Sequence, residues 1–190
     1  PNFSQGGAAQ STTKLMIFLS KKKYKCILIC LGKCFYHKEL FQNRVKIIEI
    51  NSNRTILSML KIRKIIKNYL KRDQLAVLIS NINYANVLSI IFFRTLNNLK
   101  IILYERTPIQ ELDYDYGDIF KGFKNLTIKF LILIFYRFSD AVITNSKKSS
   151  SDLSFFIGKK VKTIYSKSID KIKPYKRKSI KGTKIIWIGR

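Results

Sequence analysis

The chain is poor in acid. Against 37 lysines and arginines it sets only 11 aspartates and glutamates, for a formal net charge of +26 over 190 residues. An excess of that size points to an anionic partner, either nucleic acid or an anionic membrane surface. It also has a bland source: Lys, Ile and Asn together make up more than a third of the chain, and such a bias can come from base composition alone. Histidine is nearly absent, with His37 the sole example, and the cysteines are three, Cys26, Cys30 and Cys34, with no CxxC pair. A tetrahedral zinc site needs four ligands, and this stock is too poor to build one. The cysteines read as core or loop thiols in a reducing compartment. Cys26 and Cys30 fall on one face of the strand-like run CILIC.

Several signatures are missing. The chain has no P-loop, GxSxG, HExxH or GxGxxG, which counts against the nucleotide hydrolases, serine esterases, zinc proteases and dinucleotide enzymes that use them. Long apolar runs are interrupted. Gln74 to Phe93 carries no charge, but Ser80, Asn81, Asn83 and Asn86 break it. That suits a strand, a polar turn and a helix better than a membrane span. The run FLILIFY is bracketed by Lys129 and Arg137.

What is present is an apolar fraction of 46%, enough for a real core. Apolar runs of strand length alternate with helical patterns. Strands are expected at Cys26 to Gly32, Val45 to Ile50, Leu75 to Ser80, Lys100 to Glu105, Ala141 to Ser146 and Val161 to Ser166. Helices are expected at Ala8 to Ser20, Thr55 to Leu70, Tyr84 to Leu96, Ile119 to Phe138 and Ser149 to Ile157. This alternation predicts an α/β fold, an open parallel Rossmann-like sheet with helices on both faces. Ligands of such sheets bind beyond the carboxyl ends of the strands. The loops to watch are therefore Phe3 to Ala9, Ser80 to Tyr84, Glu105 to Asp118 and Asn145 to Ser150.

Residues 1–167 read as one domain, 168–183 as a basic linker containing Pro174, and 184–190 (KIIWIGR) as the first strand of another domain. PNFSQGGAAQ reads as a loop leaving an earlier element. Both ends are expected to be cut, leaving one lobe of a two-lobed protein.

Candidate chemistry gathers in the strand-end loops. Gly6 and Gly7 precede a helix, where backbone can approach a ligand and the helix N-terminus favours anions; a plain turn is the competing reading. Glu105 and Arg106 end a strand. Their pairing can orient a hydroxyl or supply a base, or it can be a structural ion pair. Asn83 and Tyr84 follow the preceding strand end. Ser146, Ser149 and Asp152 read as helix caps. Asp113, Asp115 and Asp118 lie in one loop with Tyr114 and Tyr116, and an exposed solvated loop is the preferred reading over a metal site.

Five stretches together resemble the N-terminal lobe of the family 4 glycosyltransferases, which have the GT-B fold. They are the GGAA loop, the strand end YERTP, the block FSDAVITNSKKSSSDL, the run VKTIYSKSID, and IIWIGR. The last looks like the family's "GR" segment that opens the donor lobe. The resemblance implies an enzyme moving a sugar from a nucleotide-sugar donor to a glycan or lipid-linked acceptor, with retained configuration. It implies no metal and no cofactor beyond the donor substrate. It also implies a strand before Pro1, central in the sheet. By the same resemblance, Gly6 and Gly7 lie near the reacting sugar, with Asn83 and Tyr84 on the substrate side. Glu105 and Arg106 take the catalytic cleft position, where many members have histidine. Arg190 matches the arginine on the donor diphosphate, a task that suits its paired hydrogen bonds. Ser166 and Lys167 depart from the family's usual Asn-Pro. The basic helix Thr55 to Arg72 and the apolar-basic segment Lys121 to Arg137 are candidates for holding a cytoplasmic protein on the inner membrane face. The alternative is a non-catalytic basic Rossmann-like module on a membrane or nucleic acid. Nucleic acid is disfavoured, because no recognition motif is present and aromatics are not interleaved with the basic runs.

Overall fold

The computed structural model describes residues 3, 6–51, 55–70, 75–113, 117 and 119–165. The elements run α1 (Gly7–Lys21), β1 (Ile27–Cys30), α2 (His37–Gln42), β2 (Lys46–Glu49), α3 (Thr55–Tyr69), β3 (Ala76–Asn81), α4 (Asn83–Phe93), β4 (Leu99–Glu105), α5 (Ile119–Phe135), β5 (Ala141–Thr144), α6 (Lys147–Ile157) and β6 (Lys162–Thr163). Short 3-10 turns cover Ile109–Asp113 and Tyr136–Phe138. The protein is α/β with parallel strands flanked by helices, as the alternation predicts. The uncharged run from Gln74 resolves into β3 and α4, with the break at the expected polar turn. Among the described residues no helix is long and apolar enough to cross a membrane.

The strands form two parallel groups, β1–β2 and β3–β4–β5–β6. In the larger group Ala76 pairs with Leu99 through to Asn81 with Tyr104, and Ile102 pairs with Ala141 through to Glu105 with Thr144. One edge of β1 and one edge of β3 have no strand partner among the described residues. Phe3 makes a parallel bridge to Cys34, just past β1. The linker 168–183 and the strand 184–190, with Arg190, lie outside the described residues, as do Asp115, Asp118, Tyr114 and Tyr116.

Two apolar clusters hold the layers. The larger collects Leu99, Ile101 and Leu103 of β4 with Met59, Ile62 and Ile66 of α3, Val87, Ile90 and Phe93 of α4, Ile132 of α5 and Leu153 and Ile157 of α6. Period-two alternation explains why those β4 residues share one face. The smaller joins Cys26, Leu28 and Cys30 to Leu40 and Val45, with Met16, Ile17 and Leu19 of α1 packed on it. Helix α2, which the sequence reading left out, buries Leu40 completely.

All three cysteines are free and buried. Burial pushes the Cys30 thiol up to about 12, helped by the neighbouring Cys34 and Glu49. The thiolate is the reactive form. At pH 8 the folded chain is therefore expected to alkylate at Cys30 about 10³-fold more slowly than the denatured chain. Mass mapping after timed iodoacetamide labelling checks this, and rapid native labelling at Cys30 contradicts it.

Candidate functional site at the carboxyl edge of the sheet

Alternation along β4 sends its last residues to opposite sides. Glu105 follows Leu99, Ile101 and Leu103 into the layer of α4 and α5. Tyr104 and Arg106 turn the other way, toward α1.

Glu105 is only 3% exposed. Its Oε1 accepts the backbone N–H groups of Arg106 (3.1 Å) and Thr107 (3.3 Å). Its Oε2 accepts the Tyr136 hydroxyl at 2.6 Å and Asn86 Nδ2 at 3.4 Å. Asn86 Nδ2 also reaches Tyr136 Oη at 3.1 Å and the Tyr104 carbonyl at 3.4 Å. Tyr136 and Asn86 are both fully buried. Burial raises the Glu105 carboxyl above its ordinary value of 4.5, against the pull of its hydrogen bonds from Tyr136, Thr107, Arg106 and Asn86. Burial, with the charge and hydrogen bond of Glu105, holds the Tyr136 phenol well above its own. Asn86 Oδ1 is buried without a partner among the described residues.

Arg106 makes a different set of contacts. Its guanidinium lies over the Tyr104 ring, 4.2 Å from the centroid, a cation–π arrangement. Nε donates to Asn81 Oδ1 at 3.2 Å, Nη1 to Ser11 Oγ, and Nη2 to Thr12 Oγ1 at 3.2 Å. Burial lowers its pKa, but arginine stays charged in a protein. The expected pairing of Glu105 with Arg106 is thus not made. The strand's alternation separates the two side chains, and only the Arg106 backbone meets the carboxylate.

The latch made by Arg106 joins the ends of β3 and β4 to the first turns of α1. Gly6 and Gly7 open that helix. Among the described residues no side chain caps it, and the first helical bond runs from Gln10 N–H to the Gly6 carbonyl at 2.9 Å. A Cβ added at Gly6 or Gly7 would meet no atom of the described residues within 4 Å. The fold therefore leaves open space on both glycines. Gly6 itself is extended, with φ 178°.

Asn83 and Tyr84 begin α4 at the same edge. Asn83 Oδ1 accepts the Tyr84 N–H at 2.7 Å. The residue before them, Ile82, has φ 79°. A β-branched side chain is strained there, so the turn from β3 into α4 is held by its surroundings. Beyond the end of β5, Ser146 caps α6, accepting from Ser149 N–H at 3.1 Å, and Gln110 donates to Asp152 at 2.8 Å. Asp113 pairs with Lys129. Among the described residues no three His, Cys, Asp or Glu side chains gather to hold a metal ion.

Sequence reading named Arg106, Gly6 and Gly7 but missed what links them, Ser11, Thr12, Asn81 and Tyr104. A signal existed for Asn81, a polar residue closing an apolar strand inside a watched loop. Ser11 and Thr12 are ordinary helix residues by pattern. No family model matches this chain, and neither a curated protein nor a solved structure does.

Proposed function

We propose that this chain forms the acceptor-side lobe of a GT-B glycosyltransferase resembling family 4. It would move a sugar from a nucleotide-sugar donor to a glycan or lipid-linked acceptor. The observation that carries the reading is the carboxyl-edge assembly. Open glycines at an uncapped helix start lie on the same helix that Arg106 clamps to the ends of β3 and β4. A fixed guanidinium beside a helix N-terminus suits the anionic and hydroxyl-rich groups of a nucleotide-sugar and its acceptor. In the reaction the C1–O bond to the diphosphate breaks and the acceptor oxygen bonds to C1. The acceptor proton passes to the departing phosphate oxygen or to solvent. On this reading Arg106 is the group facing substrate. Glu105 is a positioning residue that fixes the backbone of Arg106 and Thr107. Gly6, Gly7, Asn83 and Tyr84 keep their substrate-side roles, and Arg190 its role on the donor diphosphate.

The test uses the protein carrying both lobes, a panel of nucleotide-sugars and a membrane-lipid extract, with products read by mass spectrometry. Sugar transfer is the expected result. Neither transfer nor nucleotide-sugar binding across the panel overturns the proposal. A substitution sharpens it. Gly7→Ala meets no atom and replaces a poor helix former, so stability should hold or rise by up to ~1 kcal/mol. If substrate approaches the glycine backbone closely, transfer should fall at least about 10-fold. Unchanged transfer removes the loop from the site.

A further inference from the structure

Helix α5 is apolar on two opposite faces. Ile128, Leu131, Ile132 and Phe135 pack into the main cluster. The other face carries Ile119, Phe123, Leu126, Phe130 and Ile134, and all five are exposed, Phe123 at 73% and Phe130 at 60%. Phe120 beside them is 88% exposed. At 100° per residue these five fall in one stripe along the helix, centred opposite the buried face. A helix apolar all round is normally buried, and scattered apolar residues differ from a contiguous stripe of this size.

We infer that this stripe is a membrane-docking face. It lies flat in the interfacial region of an anionic bilayer, with its phenylalanines among the acyl chains. Three observations favour that occupant. First, every charged residue of α5, Lys121, Lys124 and Lys129, is positive. Lys124 is exposed beside the stripe, about 120° around the helix from its centre, placed to reach headgroups as its stem runs along the apolar surface, whereas Lys129 is held by Asp113. Second, the chain's charge of +26 attracts an anionic surface and repels a second copy. Third, α5 has 17 residues, about 25 Å of helix, and its opposite face is held in the protein core. That geometry fits lying on a bilayer rather than crossing it. The basic helix α3 competes less well. Its outward apolar residues are Ile56, Leu57 and Leu60, confined to its first two turns and without an aromatic. This inference stands apart from the glycosyltransferase reading and does not depend on it.

The test is flotation of the 190-residue chain with vesicles of phosphatidylcholine alone, or with about one third phosphatidylglycerol, at low and high salt. Retention on the anionic vesicles, weakened by salt, is expected. Phe123→Ser with Phe130→Ser should weaken retention at least about 10-fold. These rings are exposed, so circular dichroism and the melting temperature should be unchanged. Lys124→Gln should weaken binding about 5-fold at low salt and little at high salt. Phe18→Ser, in another exposed ring on α1, should leave binding as it was. Equal retention on neutral vesicles overturns the inference, as does unchanged binding by the double phenylalanine variant. It is also overturned if the chain ignores vesicles but sedimentation shows oligomers that the same variant disperses, because the stripe would then be covered by a second copy.

Discussion

Glu105→Ala is expected to destabilise the chain by about 4 kcal/mol. The carboxylate accepts four hydrogen bonds in a nearly sealed site: two backbone N–H groups, the Tyr136 hydroxyl and Asn86 Nδ2. Alanine leaves all four donors in place and gives them nothing. Each unsatisfied buried donor costs about 1–3 kcal/mol, less what local relaxation and water recover. For a domain of this size the melting temperature should drop by roughly 10 °C or more. A melt within 2 °C of the parent would mean that the cluster is not closed as the geometry has it. Glu105→Gln separates the acceptor role from the charge. The amide oxygen keeps the two backbone N–H groups, and its nitrogen, in the place of Oε2, can donate to the Tyr136 hydroxyl oxygen.

The same pair of variants carries a pH dependence. The folded-state pKa of Glu105 is raised, so the folded chain binds this proton more tightly than the unfolded one. Its contribution to stability is then fully present below about pH 4.5. It is lost as pH rises through the higher folded pKa. Glu105→Gln should flatten that part of the stability–pH curve while leaving the rest of it in place.

The strands and most helices were legible because each carries its own local pattern. CILIC, LAVLIS and KIILYE are apolar runs bounded by polar or turn residues, and burial decides such strands within a few neighbours. Helix α2 was not legible. Its six residues, HKELFQ, are too short for a helical period to show, and among their described side chains only Leu40 is deeply buried. The site was legible only at its ends. Asn86 lies 19 residues from Glu105 and 50 from Tyr136, and each sits in an apolar helical stretch where it reads as an interruption or a core aromatic. Neighbourhood in the sequence also misled: adjacent Glu105 and Arg106 look like an ion pair, but strand alternation points them apart. Helix α5 shows the same limit. Its composition announces an apolar helix, but which apolar stripe faces the core is decided by β4, α4 and α6, not by α5.

If the chain is the glycosyltransferase lobe proposed above, Arg106→Lys is the substitution expected to cost most in activity. It keeps the positive charge and roughly the length, and removes the planar fork. In the folded chain the fork does three things at once: it stacks on Tyr104, holds Asn81 through Nε, and holds Ser11 and Thr12 through its two Nη atoms. A guanidinium has five N–H donors. Three are used by these contacts, which leaves donors for an oxygen of the substrate. A lysine ammonium cannot span β3 and α1 while presenting a second donor outward. Its structural cost should be modest, because neutral acceptors at a half-buried site are worth about 1 kcal/mol each and some rebond to water. A fall of a few degrees in melting temperature is the expected sign, with faster amide exchange confined to the first turns of α1. If the remaining donors hold a charged or developing oxygen, losing that charge-assisted contact removes about 2.7 kcal/mol from the transition state. That is about 100-fold in kcat/KM. The decisive comparison is with Ser11→Ala paired with Thr12→Ala, which loosens the same latch but leaves the guanidinium intact. Loss of turnover in Arg106→Lys alone assigns Arg106 to the substrate. Equal loss in both variants makes it a latch only, and turnover per folded molecule unchanged in both removes Arg106 from the site.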